Sequence, residues 1–316
     1  MPQIFEDPIP NSDLPEPGGV RQEWAPPTGW NTKLIEQGFS AADWIGSTGS
    51  TNADLLSIPH QGQPRAAALR WAGYQQSGRG RRGRSWIGQP GDALTFSIAL
   101  ERLIDGPASK ATIMPAAFSL VAGLMVVRAI ELSPLTSRKP SLKWPNDVLL
   151  GGSKVAGILV EVSQSRPVQR LVVGIGINLR PPGMAQLADG PVDALAPTGL
   201  LETQTDGSPG NGNPTQAAAL VTEIGLQLDR AHEVFFNQGL APFMDDWLAH
   251  HAYHQQSIRL TDADRLIAEG ICIGIAPDGA ILIQMPEGQR SFALGDLSAR
   301  PVSALSSALS NSESDQ

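Results

Sequence analysis

A chain of 316 residues can bury a sizeable core and has room for one large domain and a smaller one. Its formal net charge of −8 argues against attraction of the whole molecule to nucleic acid or to an anionic membrane. The single cysteine, Cys272, cannot form an internal disulfide, and the amino terminus has no basic segment followed by an apolar run. These features predict a cytoplasmic enzyme or binding protein without membrane or DNA partners.

The predicted elements begin after a long irregular segment. Proline, glycine and acidic residues dominate residues 1–40 without hydrophobic periodicity, which predicts a disordered tail. From residue 41 the pattern becomes α/β, with strands at AAALRWAGY and ALTFSIALE and helical spacing over residues 109–132. Two glycines between VLL and SKVAGILVEV predict a tight hairpin, and LVVGIGINL is the next strand. Helices follow at about residues 214–236 and 241–251.

The last part of the chain has a shorter period. From residue 256, four or five short strands are separated by the turn signals PDG and EG, a spacing that predicts a small β barrel. We therefore expect a catalytic or binding domain over residues 41–253, a barrel over residues 254–304 and a second disordered tail over residues 305–316.

The stretch SGRGRRGRSW, from Ser77 to Trp86, allows several interpretations. Its glycines fit the pattern of a dinucleotide-binding turn, but a proline and two glycines shortly afterwards preclude the helix that such a turn must open. One cluster of arginines cannot supply the many phosphate contacts of nucleic-acid binding. A solvated basic turn is the simpler alternative. Because glycines let backbone amides approach a ligand and arginines clamp carboxylates or phosphates, we favour a loop that binds a small anion.

A second cluster, KWPND, runs from Lys143 to Asp147 and gathers a cation, an indole, an amide and a carboxylate around a proline. Asn and Asp are common turn residues, and the pair could also hold magnesium. Further on, a two-residue period puts Lys154 in one row with Ala156 and Ile158. This lysine either binds a ligand or extends from a strand end to solvent.

The strand LVVGIGINL alternates between an apolar face and a face formed by Gly174, Gly176 and Asn178. Glycines weaken a strand unless something must lie close to its backbone. A ligand that ends at the Asn178 amide would explain them, and close packing of a helix is the alternative.

Three small polar residues, Ser50, Thr51 and Asn52, precede a helix that begins near Ala53. Capping of the helix explains one of them. The other two are candidates for hydrogen bonds to a ligand.

In their order along the chain these motifs resemble those of the biotin protein ligases. The resemblance lies in STN from Ser50, YQQSGRGRRGRSW from Tyr74, KWPNDVLL from Lys143, GGSKVAGILVE from Gly151 and GIGINL from Gly174. It covers about residues 41–300, and GRGRRGR together with KWPND is its most specific part. It implies an α/β catalytic domain with a mixed sheet, related to class II synthetase folds, followed by a small all-β barrel.

The resemblance also implies an activity and a site. The activity is that of a ligase that converts biotin and MgATP to biotinyl-5'-AMP and pyrophosphate, then transfers biotin to a lysine of the biotin carboxyl carrier domain of acetyl-CoA carboxylase. Biotin contacts are implied for Ser50, Thr51, Asn52, Gln75, Arg79, Gly80, Arg81 and Lys154. ATP contacts are implied for Arg81, Trp86, Asn146, Asp147, Lys154 and Asn178, with Asp147 also as a ligand of Mg²⁺. Catalytic roles are expected of Arg79, Arg81 and Lys154, because cations that gather two mutually repelling anions stabilise the transition state, and of Asp147, which with Lys154 is a candidate for influencing the acceptor amine.

Some features depart from the family pattern. Certain members carry an amino-terminal winged helix that represses transcription, and the proline-rich start of this chain predicts no such activity. No tryptophan between Pro181 and Thr215 is available to stack on adenine, so the adenine contact is unassigned. A homodimer paired through sheet edges is one candidate assembly. The alternative functions are a lipoate protein ligase, which shares the fold and the adenylate chemistry, and a non-catalytic regulator that binds biotin or nucleotide.

Overall fold

The computed structural model describes residues 25–86, 88, 91–104, 115–182, 195–201, 212–262, 265–295 and 297–302. The helices are α1 (Thr32–Glu36), α2 (Thr51–Ser57), α3 (Pro115–Glu131), α4 (Pro214–Gln238) and α5 (Met244–His250). The strands of the first sheet are β1 (Ala41–Thr48), β2 (Ala68–Gln75), β3 (Ala93–Leu103), β4 (Pro140–Lys143), β5 (Asp147–Leu150), β6 (Ser153–Ser165) and β7 (Val168–Asn178). Those of the second sheet are β8 (Ser257–Asp262), β9 (Arg265–Ile275), β10 (Ile281–Met285), β11 (Gly288–Phe292) and β12 (Leu297–Pro301). None of the helices in these ranges is long and apolar enough to cross a membrane.

The first seven strands form a mixed sheet in the order β1-β2-β3-β7-β6-β5-β4. β1 and β2 run parallel, and the other neighbouring pairs run antiparallel. The central strand β7 alternates as its sequence predicts: Val173, Ile175 and Ile177 join the core with α3 and α4, while Gly174 and Gly176 face the opposite side. The predicted α/β fold with a mixed sheet is confirmed.

Helix α2 lies on that opposite side of the sheet. Its Leu55 packs on three strand residues, Ala68, Ala99 and Val172, in a second apolar cluster. The buried Arg170 donates to the carbonyl of Leu55 at 3.1 Å and pairs with Glu101 through Nε at 2.7 Å. The carboxyl end of α2 is therefore held by packing and by a buried cation, which fixes where its first turn points.

The last five strands form an antiparallel sheet in the order β11-β10-β9-β8-β12, which we call the C-terminal sheet. It confirms the all-β character predicted for this part of the chain. Segments that flank the strands join the C-terminal part to the larger sheet. The Trp144 indole, just after β4, donates to the carbonyl of Gly279 in the turn between β9 and β10 at 3.0 Å, and Ala252 N, between α5 and β8, donates to the Leu142 carbonyl of β4 at 2.8 Å.

Ordered structure begins before the predicted boundary at residue 41. Leu34 of α1 and Phe39 are buried, and Trp30 meets Trp71 edge to face at 5.4 Å between ring centroids. The expectation of a tail up to residue 40 is thus wrong for residues 25–40. Three well-spaced apolar side chains suffice to dock this segment, although its average composition is typical of disorder. Residues 1–24 and the second predicted tail lie outside the described residues.

The hairpin between β5 and β6 is built as predicted. Gly151 and Gly152 form its turn with φ of 59° and 80°, backbone angles that other residues rarely adopt. The hairpin brings the KWPND turn and the start of β6 side by side.

Candidate active site

A pocket of about 160 Å³ lies on the α2 side of the seven-stranded sheet. The stretch Ser77 to Trp86, which we call the arginine loop, contributes to its lining together with the start of α2, the KWPND turn and parts of β6 and β7. The C-terminal sheet adds Leu297, Ser298 and Arg300 of β12. The motifs that are far apart in the sequence therefore meet at one place.

One wall of the pocket is polar and comes from the start of α2. Ser50 Oγ accepts a hydrogen bond from Ala53 N at 3.5 Å, so this residue caps the helix as expected. Thr51 and Asn52 are almost fully buried and line the pocket, and Thr51 N donates to Gln75 Oε1 at 2.8 Å. Capping accounts for Ser50, while Thr51 and Asn52, each hydrogen-bonded to neighbouring strands, form a polar wall beside the pocket.

The floor of the pocket is bare backbone on β7. A Cβ at Gly174 would lie 2.9 Å from Asn52 Cγ, and one at Gly176 would lie 2.6 Å from Trp86 Nε1. Both distances are shorter than van der Waals contact. The two glycines thus permit close approach, one by a side chain of α2 and the other by the indole at the end of the arginine loop.

A charge cluster forms at the turn between β4 and β5. Asp147 Oδ2 accepts from Lys143 Nζ at 2.8 Å, and Asp147 Oδ1 lies 2.6 Å from Lys154 Nζ. Burial alone would raise the pKa of Asp147, but the two ammonium groups outweigh it and hold that pKa far below its usual range. Burial lowers the pKa of Lys143 to about 8, and Asp147 opposes part of this shift. At neutral pH the cluster carries one net positive charge, which suits a carboxylate or a phosphate.

Lys154 lies on a different side of β6 than a strict two-residue period predicts. The register shifts at a bulge: Leu149 pairs with Lys154, whereas the preceding Val148 pairs with Ala156. Lys154 thereby leaves the row of Ala156, and its Nζ comes to lie beside Gly157 on the pocket side. The predicted apolar row is wrong, and the bulge is what directs this ammonium group into the pocket.

The arginine loop is tied to both sheets. Arg79 Nη2 donates to Glu161 Oε2 at 3.3 Å. Arg81 donates to Asn146 Oδ1 at 3.1 Å and to the carbonyl of Gly295, which lies between β11 and β12 of the C-terminal sheet. No helix follows the loop among the described residues, and β3 starts at Ala93, as expected for a loop that does not open a dinucleotide-binding helix.

The structure brings together all but one of the residues for which the sequence predicts contacts with biotin or ATP. Those in the pocket lining are Ser50, Thr51, Asn52, Gln75, Arg79, Gly80, Arg81, Trp86, Asn146, Asp147 and Lys154. Asn178 is outside the lining, at the end of β7, where its Nδ2 donates to the Thr198 carbonyl at 3.2 Å. The ligand contacts of these residues stay predictions.

Four polar residues of the site were missed by the sequence analysis. Lys143 and Glu161 stand inside the quoted motifs KWPND and GILVE but resemble a turn lysine and a strand-end acid. Ser97 on β3 and Arg300 on β12 belong to no recognisable motif. Each is a polar residue in a strand, and its neighbours in the site come from distant parts of the chain.

The expectation that Asp147 holds Mg²⁺ does not fit this geometry. Each of its carboxylate oxygens contacts an ammonium group, and the neighbouring Asn146 Oδ1 accepts from Arg81. Magnesium requires several free oxygen ligands, and here it would lie among three cationic side chains. Within the part of the chain that is described, no group of three His, Cys, Asp or Glu side chains could hold a metal.

Comparisons with known proteins identify relatives of this chain. The profile of the Biotin/lipoate A/B protein ligase family matches residues 45–178. The bifunctional ligase/repressor BirA of Escherichia coli (strain K12) is 34% identical over 252 residues, which are 79% of this chain and 71% of the relative. The biotin--[acetyl-CoA-carboxylase] ligase of Paracoccus denitrificans is 33% identical over 250 residues, 78% of this chain and 95% of the relative. The structure of the biotin protein ligase from Aquifex aeolicus in complex with biotin and ATP superposes with a TM-score of 0.61 at 26% identity and covers 83% of this chain and 100% of that one.

The matched range contains the polar wall, the arginine loop and the charge cluster, so the class defined by fold and site is that of the biotin/lipoate ligases. The chain belongs to the Biotin/lipoate A/B protein ligase family. The relative from Paracoccus denitrificans and the superposed structure from Aquifex aeolicus are both named as biotin ligases, which confirms the resemblance found in the motifs.

Proposed function

We propose that this protein is an ATP-dependent biotin--[biotin carboxyl carrier protein] ligase. The observation that carries the proposal is one pocket with a neutral, hydrogen-bonding wall at one end and a cationic cluster at the other. Biotin has the matching parts, since its ureido ring is neutral and its side chain ends in a carboxylate.

In the first step, an oxygen of the biotin carboxylate bonds to the α-phosphorus of ATP and the bond to the pyrophosphate oxygen breaks. Both partners are anions, so their approach needs compensating positive charge. Lys154 and Arg81, at the cationic end of the pocket, are suited to gather the carboxylate and the phosphate and to stabilise the charge that develops. Arg79 is the cation nearest the polar wall and serves the binding of biotin.

The product is a mixed anhydride that water would hydrolyse. We assign the arginine loop to cover it, because Arg81 already links the loop to Asn146 and to the Gly295 carbonyl between β11 and β12. Trp86 packs against Gly176, with Lys154 Nζ 5.7 Å from its ring centroid, and is our candidate for the nucleotide end.

In the second step, the amine of an acceptor lysine attacks the biotinyl carbonyl carbon, AMP leaves and the amine loses a proton. The attacking amine must be neutral, although the pKa of lysine is normally about 10.4. Asp147 is a weak base because the two lysines lower its pKa. We therefore assign Asp147 to hold Lys143 and Lys154 in place and not to accept this proton.

We further propose the partners that follow from this function. The acceptor is the biotin carboxyl carrier domain of acetyl-CoA carboxylase, the protein acts in the cytoplasm, and a homodimer paired through sheet edges is its candidate assembly. Magnesium enters as MgATP, held by phosphate oxygens and water, which is its usual mode with nucleotides. The net charge of −8 supports the expectation that DNA is not a partner.

The decisive experiment is biotin-dependent exchange of labelled pyrophosphate into ATP, followed by transfer to a carrier domain. We expect exchange with biotin and a stable amide on the carrier lysine. A parallel reaction with lipoate tests the nearest alternative: lipoylation without biotinylation would refute the proposal. Binding of biotin without any exchange would identify a non-catalytic binder instead.

A further inference from the structure

Asn52 is hydrogen-bonded on both sides of its carboxamide. Nδ2 donates to Glu161 Oε2 at 2.8 Å and to the Leu159 carbonyl at 3.4 Å, while Oδ1 accepts from Ser97 Oγ at 2.5 Å. Ser97 Oγ is also 2.6 Å from Thr51 Oγ1. A continuous chain of polar side chains therefore runs from Thr51 at the pocket wall through Ser97 and Asn52 to the carboxylate of Glu161.

The direction of every hydrogen bond in this chain follows from its end. A carboxylate and a carbonyl only accept, so Asn52 must present Nδ2 to them and Oδ1 to Ser97. Each hydroxyl has one hydrogen. Ser97 uses its hydrogen on Asn52, and the Thr51 hydroxyl must then donate to Ser97. Gln75 Oε1 accepts from Thr51 N at 2.8 Å and is also 3.0 Å from Thr51 Oγ1, but the one hydroxyl hydrogen of Thr51 goes to Ser97, which is closer at 2.6 Å. The Thr51 oxygen is left with lone pairs to offer to the pocket.

We propose that Glu161 is a positioning residue that makes this wall a hydrogen-bond acceptor and so selects ligands whose ring carries N–H groups. The proposal rests on the proposed function, because the ureido ring of biotin has two such groups and the dithiolane ring of lipoate has none. Glu161 touches no reacting atom. It acts on the ligand through Asn52, Ser97 and Thr51.

The same carboxylate oxygen also meets the arginine loop, since Arg79 Nη2 is 3.3 Å from Glu161 Oε2. Glu161 thus balances the charge of Arg79 at the end of the pocket where the ligand is neutral. A variant that removes only the charge must be compared with one that removes the acceptor as well.

The test uses three variants and the pyrophosphate exchange assay, with biotin and ATP varied separately. Glu161→Leu removes the acceptor, Glu161→Gln keeps an acceptor oxygen without the charge, and Ser97→Ala breaks the chain two links away. We expect Glu161→Leu and Ser97→Ala each to raise the KM for biotin about tenfold or more, with the KM for ATP changed less than about twofold. Glu161→Gln should keep the KM for biotin close to that of the parent. The double variant Glu161→Leu/Ser97→Ala should have a KM for biotin no higher than that of the more impaired single variant, because both substitutions break the same chain of hydrogen bonds.

Three outcomes would overturn the proposal. One is an unchanged KM for biotin in Glu161→Leu, and another is a Glu161→Gln variant as impaired as Glu161→Leu, which would assign the effect to charge. The third is a parallel rise of both KM values with a lower thermal midpoint, which would show a merely structural role. Absence of exchange in the parent protein would instead refute the proposed function, so the two failures are distinguishable.

Discussion

The glycine floor predicts that Gly174→Ala and Gly176→Ala impair binding of different substrates. Both glycines face the same side of β7 and neither has a positive φ, so alanine suits the backbone and only the added methyl matters. At position 174 the methyl would press on Asn52, and at position 176 on Trp86. Each neighbour has to move by roughly 1 Å to regain van der Waals contact.

The size of each effect follows from what the neighbour loses. Asn52 holds hydrogen bonds of 2.5 and 2.8 Å to Ser97 and Glu161, and a shift of about 1 Å would stretch both beyond useful length. Losing one or both costs about 1–3 kcal/mol, which corresponds to roughly 5- to 150-fold in the KM for biotin. Trp86 loses contact with the floor and its position near Lys154, an effect of about 0.5–1.5 kcal/mol, or roughly 2- to 12-fold, in the KM for ATP.

The assay is pyrophosphate exchange, with each substrate varied at saturation of the other. Gly46→Ala is the control, because a Cβ there would meet only Trp44 at 4.0 Å, which is ordinary contact. The reasoning is refuted if the two floor variants raise the same KM, or if both leave the two KM values at the level of the control.

Three further predictions concern the loop, α2 and the buried lysine. Arg81→Gly cuts the link from the loop to Asn146, so activated biotin should escape and label bystander proteins or an added amine; adenylate retained as tightly as in the parent would count against a covering role. Arg170→Ala strands the buried Glu101 and should lower the free energy of unfolding by about 3–5 kcal/mol in urea titrations, and a loss below about 1 kcal/mol would contradict this. Burial lowers the pKa of Lys143 from 10.5 to about 8, so between these two pH values the unfolded state binds more protons than the folded state. The free energy of unfolding therefore increases as the pH rises, by about 2–3 kcal/mol. Lys143→Met should lack this gain when unfolding is compared at pH 7.5 and pH 10.5, and equal slopes in parent and variant would refute the assignment.

The parts of the fold that follow from local patterns could be predicted from the sequence. Alternation along β7 assigned its two faces correctly because side-chain direction in a strand depends only on neighbours two residues apart. The turn at Gly151 and Gly152 follows from the same local logic. The bulge that redirects Lys154 does not, since it depends on how β5 aligns with β6.

Docking of the segment before residue 41 was missed for a related reason. Leu34 is buried and Trp30 partly buried because α4 and Trp71 supply their partners, and average composition carries no information about such partners. The missed site residues behave alike. Ser97 and Glu161 are polar residues on separate strands, and they acquire a role only when Asn52 joins them from a helix.

Two carboxylates, Asp147 in the pocket lining and Glu161 behind the polar wall, set the charge at the two ends of the pocket. Glu161 faces one cation, Arg79, so that end is close to neutral and can discriminate a ring through the direction of its hydrogen bonds. Asp147 faces two lysines, so this cluster keeps a net positive charge and attracts the anionic groups of the ligands. A ligand with a neutral ring and an anionic tail can lie in only one direction between them. Selection of the ring and activation of the carboxylate are therefore separate in space, which is why substitutions at Glu161 and at Asp147 should change different kinetic constants.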